Sequence, residues 1–275
     1  TEIKLKHRME KIMDLELEGK RALITGGSKG IGKSIAIQLC QEGVNVAIAA
    51  RTKETLDQAA KEIEELTGKK VETIVVDTTK KTSVDNMVEK VVGELGGIDI
   101  LVNSAAMVGG QVRGSISEAD EKDLIEDLDT KVVGYFRCIK AVVPHMQKQK
   151  WGRIISIGGV SARQSTIYGL RNAAVVHMTK TLSDQLGSDG ITLNVLHPGL
   201  TQTPAIRERM SETAKQQGKT LEEVEAESAK NVAIKRTIKP EELAFVTAVL
   251  SSPKAECITG ESIAGGGGAI GAVFQ

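Results

Sequence analysis

Two stretches of the sequence carry residue types that could do chemistry. The first, Thr25-Gly-Gly-Ser-Lys-Gly-Ile-Gly32, follows an apolar run and opens a helical pattern. Its glycines Gly26, Gly30 and Gly32 allow a tight turn and a close approach of backbone to a pyrophosphate, which the N-terminus of the helix would face. The second stretch surrounds Tyr168, a phenol near the start of another predicted helix. Tyr168 is either a proton donor or an ordinary tyrosine, and its neighbours must decide between the two.

Strand-like and helical patterns alternate along most of the chain. Short apolar runs occupy 21–25, 44–50, 71–76, 98–102, 153–157, 191–196 and 258–263, and helical patterns occupy 31–42, 53–66, 83–95, 118–149, 172–186 and 241–250. This alternation predicts right-handed crossovers, and the nearly all-apolar strands indicate burial on both faces of a sheet. We therefore expect an α/β fold, a Rossmann-type doubly wound parallel sheet of about seven strands with helices on both faces.

Composition limits the classes of partner. The chain has 275 residues, of which 36 are basic and 36 acidic, so no net charge attracts nucleic acid or an anionic membrane surface. No apolar run approaches the roughly 18 residues of a membrane span. Cys40, Cys138 and Cys257 are far apart and lack metal-ligand spacing, so we expect buried thiols in a reducing cytosol and no metal site. A soluble, cytoplasmic protein with a small-molecule ligand is the expectation.

We predict a single domain over 13–275. Two segments, one before this domain and one within it, depart from the alternation of strands and helices. Residues 1–12 are rich in Lys, Arg and His and precede a natural-looking start, so we interpret them as an upstream extension or an expression remnant. Residues 204–239 are polar helix formers without a strand pattern. They are either a solvated helical excursion or a lid over the carboxyl ends of the strands, and we favour the lid because ligands bind at that edge.

The Gly-x-x-x-Gly-x-Gly spacing resembles the short-chain dehydrogenase/reductase family. Further segments agree in the same order: Asp77, Asn103-Ser-Ala-Ala106, His197-Pro-Gly-Leu-Thr-Gln-Thr203 and Ile258-Thr-Gly-Glu261, so that the resemblance covers about 14–268. It implies a dinucleotide cofactor. The residues implied to hold it are Gly26, Ser28, Lys29, Gly30, Ile31, Gly32, Arg51, Asp77, Thr78, Asn103, Ala105, Pro198, Gly199, Thr201 and Thr203.

The charge at the end of the second predicted strand indicates which dinucleotide binds. A site for NAD would place Asp or Glu there, to accept hydrogen bonds from the ribose hydroxyls, whereas this sequence reads Ala49-Ala-Arg51. In the family, Arg51 together with Lys29 implies binding of a 2′-phosphate. We therefore predict NADP(H); the alternative is that both cations are merely solvated.

The resemblance also implies a catalytic set that this sequence carries only in part. The family uses a Tyr as proton donor, a Lys four residues later, a Ser that bonds the substrate oxygen and an Asn that positions a water on the Lys. Tyr168 matches the tyrosine, but Asn172 stands at the Lys position and Gly159 at the Ser position. Only Ser161 or Ser156 offers a nearby hydroxyl.

The fourth position of that set suggests an exchange. Alignment with the family's long helix places Lys131 where Asn is expected, so Lys and Asn have traded places, and Lys131 could keep a positive charge near Tyr168. Alternatively, Lys131 is a surface residue with a local ion pair to Asp127 or Asp129. Arg171 is a second candidate cation, although its spacing from Tyr168 does not require it to point into the site.

Three functions remain open at this stage. The leading hypothesis is an NADPH-dependent oxidoreductase that reduces a ketone or aldehyde, or oxidises the alcohol, with 3-oxoacyl and cyclic ketone substrates suggested by resemblance alone. The others are an NADP(H)-binding protein without redox turnover and a non-redox lyase derived from the same fold. Resemblance further implies a homodimer or homotetramer through 118–149, 172–186 and 265–275.

Overall fold

A computed structural model describes residues 14–106, 110, 112, 115–163, 166–268 and 270. The predicted extension over 1–12 lies outside this range and stays a prediction. Within the described part, no helix has the length and apolarity needed to cross a bilayer. No group of three or more His, Cys, Asp or Glu side chains there could hold a metal ion.

The described residues form one seven-stranded parallel sheet with the order β3-β2-β1-β4-β5-β6-β7. The strands are β1 (Arg21–Thr25), β2 (Asn45–Ala50), β3 (Glu72–Val75), β4 (Ile100–Asn103), β5 (Gly152–Ile157), β6 (Ile191–Pro198) and β7 (Ser262–Gly265). The order reverses between β1 and β4, which opens a crevice at the carboxyl ends of the strands. The predicted Rossmann-type fold is confirmed.

Helices cover both faces of this sheet. They are α1 (Gly30–Gln41), α2 (Lys53–Thr67), α3 (Lys81–Leu95), α4 (Glu121–Leu128), α5 (Gly134–Gln149), α6 (Gly169–Leu186), α7 (Pro204–Gln217), α8 (Leu221–Ala229) and α9 (Pro240–Ser251). Alternate residues of a strand point to opposite faces. In β1, Ala22 and Ile24 therefore pack under α1, α2 and α9, whereas Leu23 packs under α3 and α5. The two cores fix the strand ends that carry the site.

The predicted long helix over 118–149 is interrupted. Between α4 and α5 lies a π-helical turn, Asp129–Val133, in which the Gly134 N–H reaches back to the Asp129 carbonyl. A π-turn inserts one extra residue into the helical repeat and so redirects the side chains that it carries. Lys131 lies within this turn and is buried.

The last strand begins later than predicted. Residues 258–261 are not part of β7, because the Asn194 side chain bonds the Ile258 carbonyl at 2.7 Å and the Glu261 N–H at 3.1 Å. Gly260 has a φ of +75°, which also bends the segment away from a strand. The neighbouring Cys257 is exposed, so the prediction that all three thiols are buried is wrong for this one.

The segment 204–239 is largely helical, as expected. Thr203 caps α7 by accepting a hydrogen bond from the Ile206 N–H, and α8 begins with a capping box formed by Thr220 and Glu223. The base of the segment is closed by a parallel bridge between Thr201 and Ile238. Its role as a lid stays a prediction.

Candidate functional site

A cavity of 880 Å³ lies at the carboxyl ends of the strands. Its wall is built from the segments that follow β1 to β6, from the π-turn and from the start of α7. Sixteen of the predicted site residues line it: Gly26, Ser28, Lys29, Gly30, Ile31, Arg51, Asp77, Thr78, Ala105, Lys131, Ser161, Tyr168, Pro198, Gly199, Thr201 and Thr203. The two stretches singled out in the sequence therefore face one space, although more than 130 residues separate them.

The glycine-rich loop approaches its neighbours so closely that side chains would not fit. A Cβ on Gly32 would lie 2.3 Å from the Gly26 carbonyl oxygen, and a Cβ on Gly26, whose φ is +68°, would lie 2.7 Å from the Ser104 carbonyl oxygen. No side chain caps α1 at Lys29, and its first turn holds no acid. The N–H groups of that turn are thus oriented toward the cavity as donors for an anion, and the loop fits a diphosphate.

The part of the cavity beyond β2 and β3 is polar and contains a positive side chain, Arg51, and a negative one, Asp77. Arg51 lines the cavity together with Thr52, at the edge beyond β2. Asp77 accepts hydrogen bonds from the Thr79 hydroxyl at 2.7 Å and the Thr79 N–H at 3.0 Å. These bonds, the hydroxyl above all, hold the pKa of Asp77 below its usual range, with smaller help from Lys80 and Arg51. Asp77 is therefore a fixed negative charge beside two cations.

Three predicted residues, Gly32, Asn103 and Asn172, do not line the cavity. Gly32 instead provides the close contact between α1 and the loop. Asn103 ends β4 in full burial, and neither atom of its amide has a hydrogen-bond partner among the described residues. The next two residues, Ser104 and Ala105, do line the wall, and the role of Asn103 in holding the cofactor stays a prediction.

The opposite end of the cavity holds a buried ion pair beside Tyr168. Arg171 on α6 donates to the Asp127 carboxylate on α4, and each side chain is 2% exposed. The Arg171 guanidinium carbon lies 4.4 Å from the centre of the Tyr168 ring, a stacking distance. Arg171 lines the cavity with Tyr168, so the candidate cation does point into the site.

Lys131 reaches the same end from the π-turn. It is 3% exposed, and its Nζ donates to the Gly158 carbonyl at 2.8 Å. The alternative of a surface lysine is therefore wrong. Burial, followed by repulsion from Arg171, holds the pKa of Lys131 well below its usual value, against a smaller opposing effect of Asp127. The fold thus places two basic side chains and one carboxylate together, out of water.

Asn172 acts on the turn that follows β5. Its Nδ2 donates to the Ser161 Oγ at 2.8 Å. A Cβ on Gly159 would lie 2.9 Å from the same nitrogen, so a serine at this position would require the Asn172 side chain to shift. The Gly159 N–H donates to His197 Nδ1 at 2.9 Å, which fixes the turn from the other side. Of the two candidate hydroxyls, Ser161 lines the cavity and Ser156 does not.

Sequence reasoning missed several lining residues. Thr52, Tyr135 and Arg209 all line the cavity. Tyr135 is fully buried, burial raises its pKa, and its hydroxyl donates to the Ile157 carbonyl at 3.1 Å. The partnership of Asp127 with Arg171 was also missed. The two residues are 44 positions apart in the sequence, and no short-range sequence pattern predicts a contact over that separation.

Comparison with known proteins agrees with this geometry. A family model described as short chain dehydrogenase matches residues 20–215. The 3-oxoacyl-[acyl-carrier-protein] reductase FabG of Thermotoga maritima is 34% identical over 260 residues, which cover 93% of this chain and 100% of that protein. The crystal structure of L-sorbose reductase from Gluconobacter frateurii, complexed with NADPH and L-sorbose, superposes with a TM-score of 0.89 at 32% identity, covering 95% and 100% of the two chains. A variant of actinorhodin polyketide ketoreductase with NADPH has a TM-score of 0.84 at 30% identity, covering 90% and 96%.

Proposed function

The chain belongs to the short-chain dehydrogenase family, and we propose that it is an NADP(H)-dependent oxidoreductase that reduces a ketone or an aldehyde, or oxidises the corresponding alcohol. One observation carries this proposal. A single cavity joins an anion-binding glycine loop at one end to a buried cluster of Tyr168, Arg171 and Lys131 at the other. Such a cavity suits a reaction in which a dinucleotide and a small carbonyl compound meet.

The cofactor end suits a phosphorylated dinucleotide. The first turn of α1 would bind the diphosphate, and Arg51 and Lys29 would bind a 2′-phosphate. Both NADPH-bound structures described above support this choice. The backbone of Pro198 and Gly199 and the hydroxyl of Thr201 would hold the nicotinamide end. NADPH, once bound, supplies the hydride.

Tyr168 is the proposed proton donor to the carbonyl oxygen. Reduction leaves a negative charge on that oxygen, so cations beside the donor lower the barrier. Arg171 lies against the Tyr168 ring, and Lys131 reaches the same wall. Lys131 and Asn172 also contact successive residues of one turn, Gly158 and Gly159, which supports the proposed exchange of their roles.

Ser161 is the proposed hydroxyl that bonds the substrate oxygen. Because Asn172 donates to the Ser161 oxygen, the hydroxyl hydrogen of Ser161 remains to be donated elsewhere. A substrate oxygen in the cavity is an acceptor for it. Asn172 is therefore a positioning residue in this proposal.

The substrate is proposed as a ketone held beneath α7. FabG is named for 3-oxoacyl substrates on a carrier protein, and the Gluconobacter enzyme was crystallised with a sugar ketone. Both relatives reduce a carbonyl group, which supports reduction as the reaction class here. Leu200 and Ile206 give the wall near the lid an apolar component.

A second candidate is an NADP(H)-binding protein without redox turnover. It is favoured by one observation: Gly159 carries no hydroxyl and Asn172 carries no charge. The intact glycine loop would then serve binding alone. A non-redox lyase is a weaker third candidate, because such chemistry does not require the loop.

Oxidation of NADPH, followed by its absorbance, against a panel of ketones and aldehydes tests the proposal. We expect turnover with NADPH and a strong preference over NADH. Arg51→Gln removes a charge-assisted hydrogen bond, so the preference should fall about tenfold. Tight binding of NADPH without oxidation of it by any substrate would favour the second candidate.

Self-association is also proposed. Ile125, Phe136 and Leu170 on α4, α5 and α6 are large apolar side chains that remain exposed. Such side chains on neighbouring helices support packing against a second copy of the chain as a dimer or tetramer. Light scattering tests this, and a monomer at micromolar concentration would contradict it. Phe136→Asp should shift an oligomer toward the monomer.

A further inference from the structure

The charges that line the cavity are unbalanced. Among the lining residues that the structure describes, five are cationic and one is acidic: Lys29, Arg51, Lys131, Arg171, Arg209 and Asp77. The chain as a whole has equal numbers of basic and acidic residues, so this excess is local. A cleft lined by one sign of charge concentrates ligands of the opposite sign.

The phosphates of the proposed cofactor account for only part of this excess. Lys29 and Arg51 belong to the cofactor half of the cavity. The other three cations come from the π-turn, from α6 and from α7, which form the chemical half and the lid. They lie outside the set of residues proposed to bind the cofactor phosphates.

Lys131 and Arg171 are buried, so their positive charges are energetically unfavourable unless a negative charge lies nearby. Moving an ion out of water costs several kcal/mol unless a counter-charge is present. Asp127 is the carboxylate beside them, and it pairs with Arg171. Lys131 lies in the cavity wall with no ion pair to a carboxylate among the described residues, and burial, followed by repulsion from Arg171, holds its pKa well below its usual value. A negative charge in the cavity would favour the protonated, cationic form of Lys131.

We infer that the carbonyl substrate carries an oxyanion, a carboxylate or a phosphate, bound by Lys131, Arg171 and Arg209. This inference rests on the proposed function and adds a substrate class to it. Arg209 is exposed on the lid helix and can approach a ligand from the solvent side. Lys131 and Arg171 approach from the buried side, so the anion is held from both. Bonds of guanidinium and ammonium groups to oxyanions are the strong, charge-assisted kind.

The test compares ketones that differ only in charge. Acetoacetate is matched with its methyl ester, and dihydroxyacetone phosphate with dihydroxyacetone, each with NADPH in excess. At least one anion should exceed its neutral partner about tenfold or more in kcat/KM, the effect of one charge-assisted bond. The pair that shows the preference identifies carboxylate or phosphate as the anion. Equal kcat/KM values within both pairs would overturn the inference.

The lid provides a matched pair of variants. Arg209 lines the cavity, whereas Arg207, two residues earlier on α7, is exposed and does not line it. Arg209→Gln should reduce the anion-to-neutral ratio about tenfold, and Arg207→Gln should leave it unchanged. Both positions are on the surface, so folding is preserved. Equal effects of the two variants would show that general surface charge, rather than a bound anion, causes the preference.

A binding measurement separates this inference from the proposed function. Calorimetry measures how the NADP⁺-loaded protein binds the hydroxy acid that acetoacetate reduction would yield, against its methyl ester. The acid should bind tighter, and proton uptake by Lys131 should make the binding enthalpy depend on the buffer. Tighter acid binding without NADPH oxidation would support the inference while the proposed function fails. Equal binding of acid and ester, together with equal binding of glycerol phosphate and glycerol, would overturn the inference.

Discussion

The two ends of the cavity are built in different ways. At the cofactor end, one continuous loop supplies backbone N–H groups, and its glycines leave no room for a side chain. At the chemical end, side chains from α4, the π-turn and α6 meet, and their charges are buried against one another. The first end depends on local backbone geometry and the second on long-range packing, so substitutions should damage them in different ways.

The largest effect on folding is expected from Asp127→Asn. Removing the carboxylate leaves Arg171 buried without a counter-charge, which should lower the free energy of unfolding by about 3–5 kcal/mol. Urea denaturation of the free protein measures this loss. Asp129→Asn is the control, because its ion pair with Arg137 is partly exposed and should contribute only about 0–1 kcal/mol. Equal losses of unfolding free energy in the two variants would show that burial does not make the Asp127–Arg171 ion pair more important for stability than an exposed pair.

A substitution in the glycine loop should have a smaller effect on stability but should also weaken cofactor binding. In Gly32→Ala the new methyl overlaps the Gly26 carbonyl, and overpacking of this kind costs about 1–3 kcal/mol. Gly93→Ala on α3 meets no atom within 4 Å. It should be stabilising by about 1 kcal/mol, because alanine is the better helix former. Titration with NADPH measures cofactor binding by both variants. Binding by Gly32→Ala as tight as that of the wild type would contradict the account.

The smallest effect concerns Lys131 and pH. Its folded pKa lies below the unfolded one, so between these values the unfolded chain binds a proton that the folded chain has lost. Stability should therefore rise with pH across that window, by at most about 1.4 kcal/mol per pH unit. Lys131→Met should remove this slope. Lys140→Met, an exposed position on α5, should keep it, and a slope unchanged in both variants would contradict the burial of an ionisable amine.

The sequence predicted most of the residues that line the cofactor end of the cavity, for a physical reason. The glycine loop, Arg51 and the strand order depend on local spacing and on the alternation of elements, both of which are visible in one chain. Thr52 also lines the cavity, next to Arg51, but its residue type carries no charge or glycine pattern that would mark it in the sequence. Asn103 is buried behind the lining residues Ser104 and Ala105, and its part in holding the cofactor stays a prediction.

The chemical end was predicted only in part. Tyr168, Lys131 and Ser161 do meet in one cavity, but the burial of Lys131 follows from a π-turn that periodicity cannot show. The pairing of Asp127 with Arg171 depends on how α4 and α6 pack, which is a property of the whole fold. The late start of β7 depends on the Asn194 side chain, from another strand, as well as on Gly260.

Single-turnover oxidation of NADPH by Tyr168→Phe tests the central claim most directly. The substitution removes only a hydroxyl, so NADPH binding and the stacked Arg171 should remain. If Tyr168 is the proton donor, hydride transfer should slow by about 100- to 10,000-fold, as is typical for loss of a general acid. An unchanged rate in the variant, with an active wild type, would contradict the account and show that another group donates the proton.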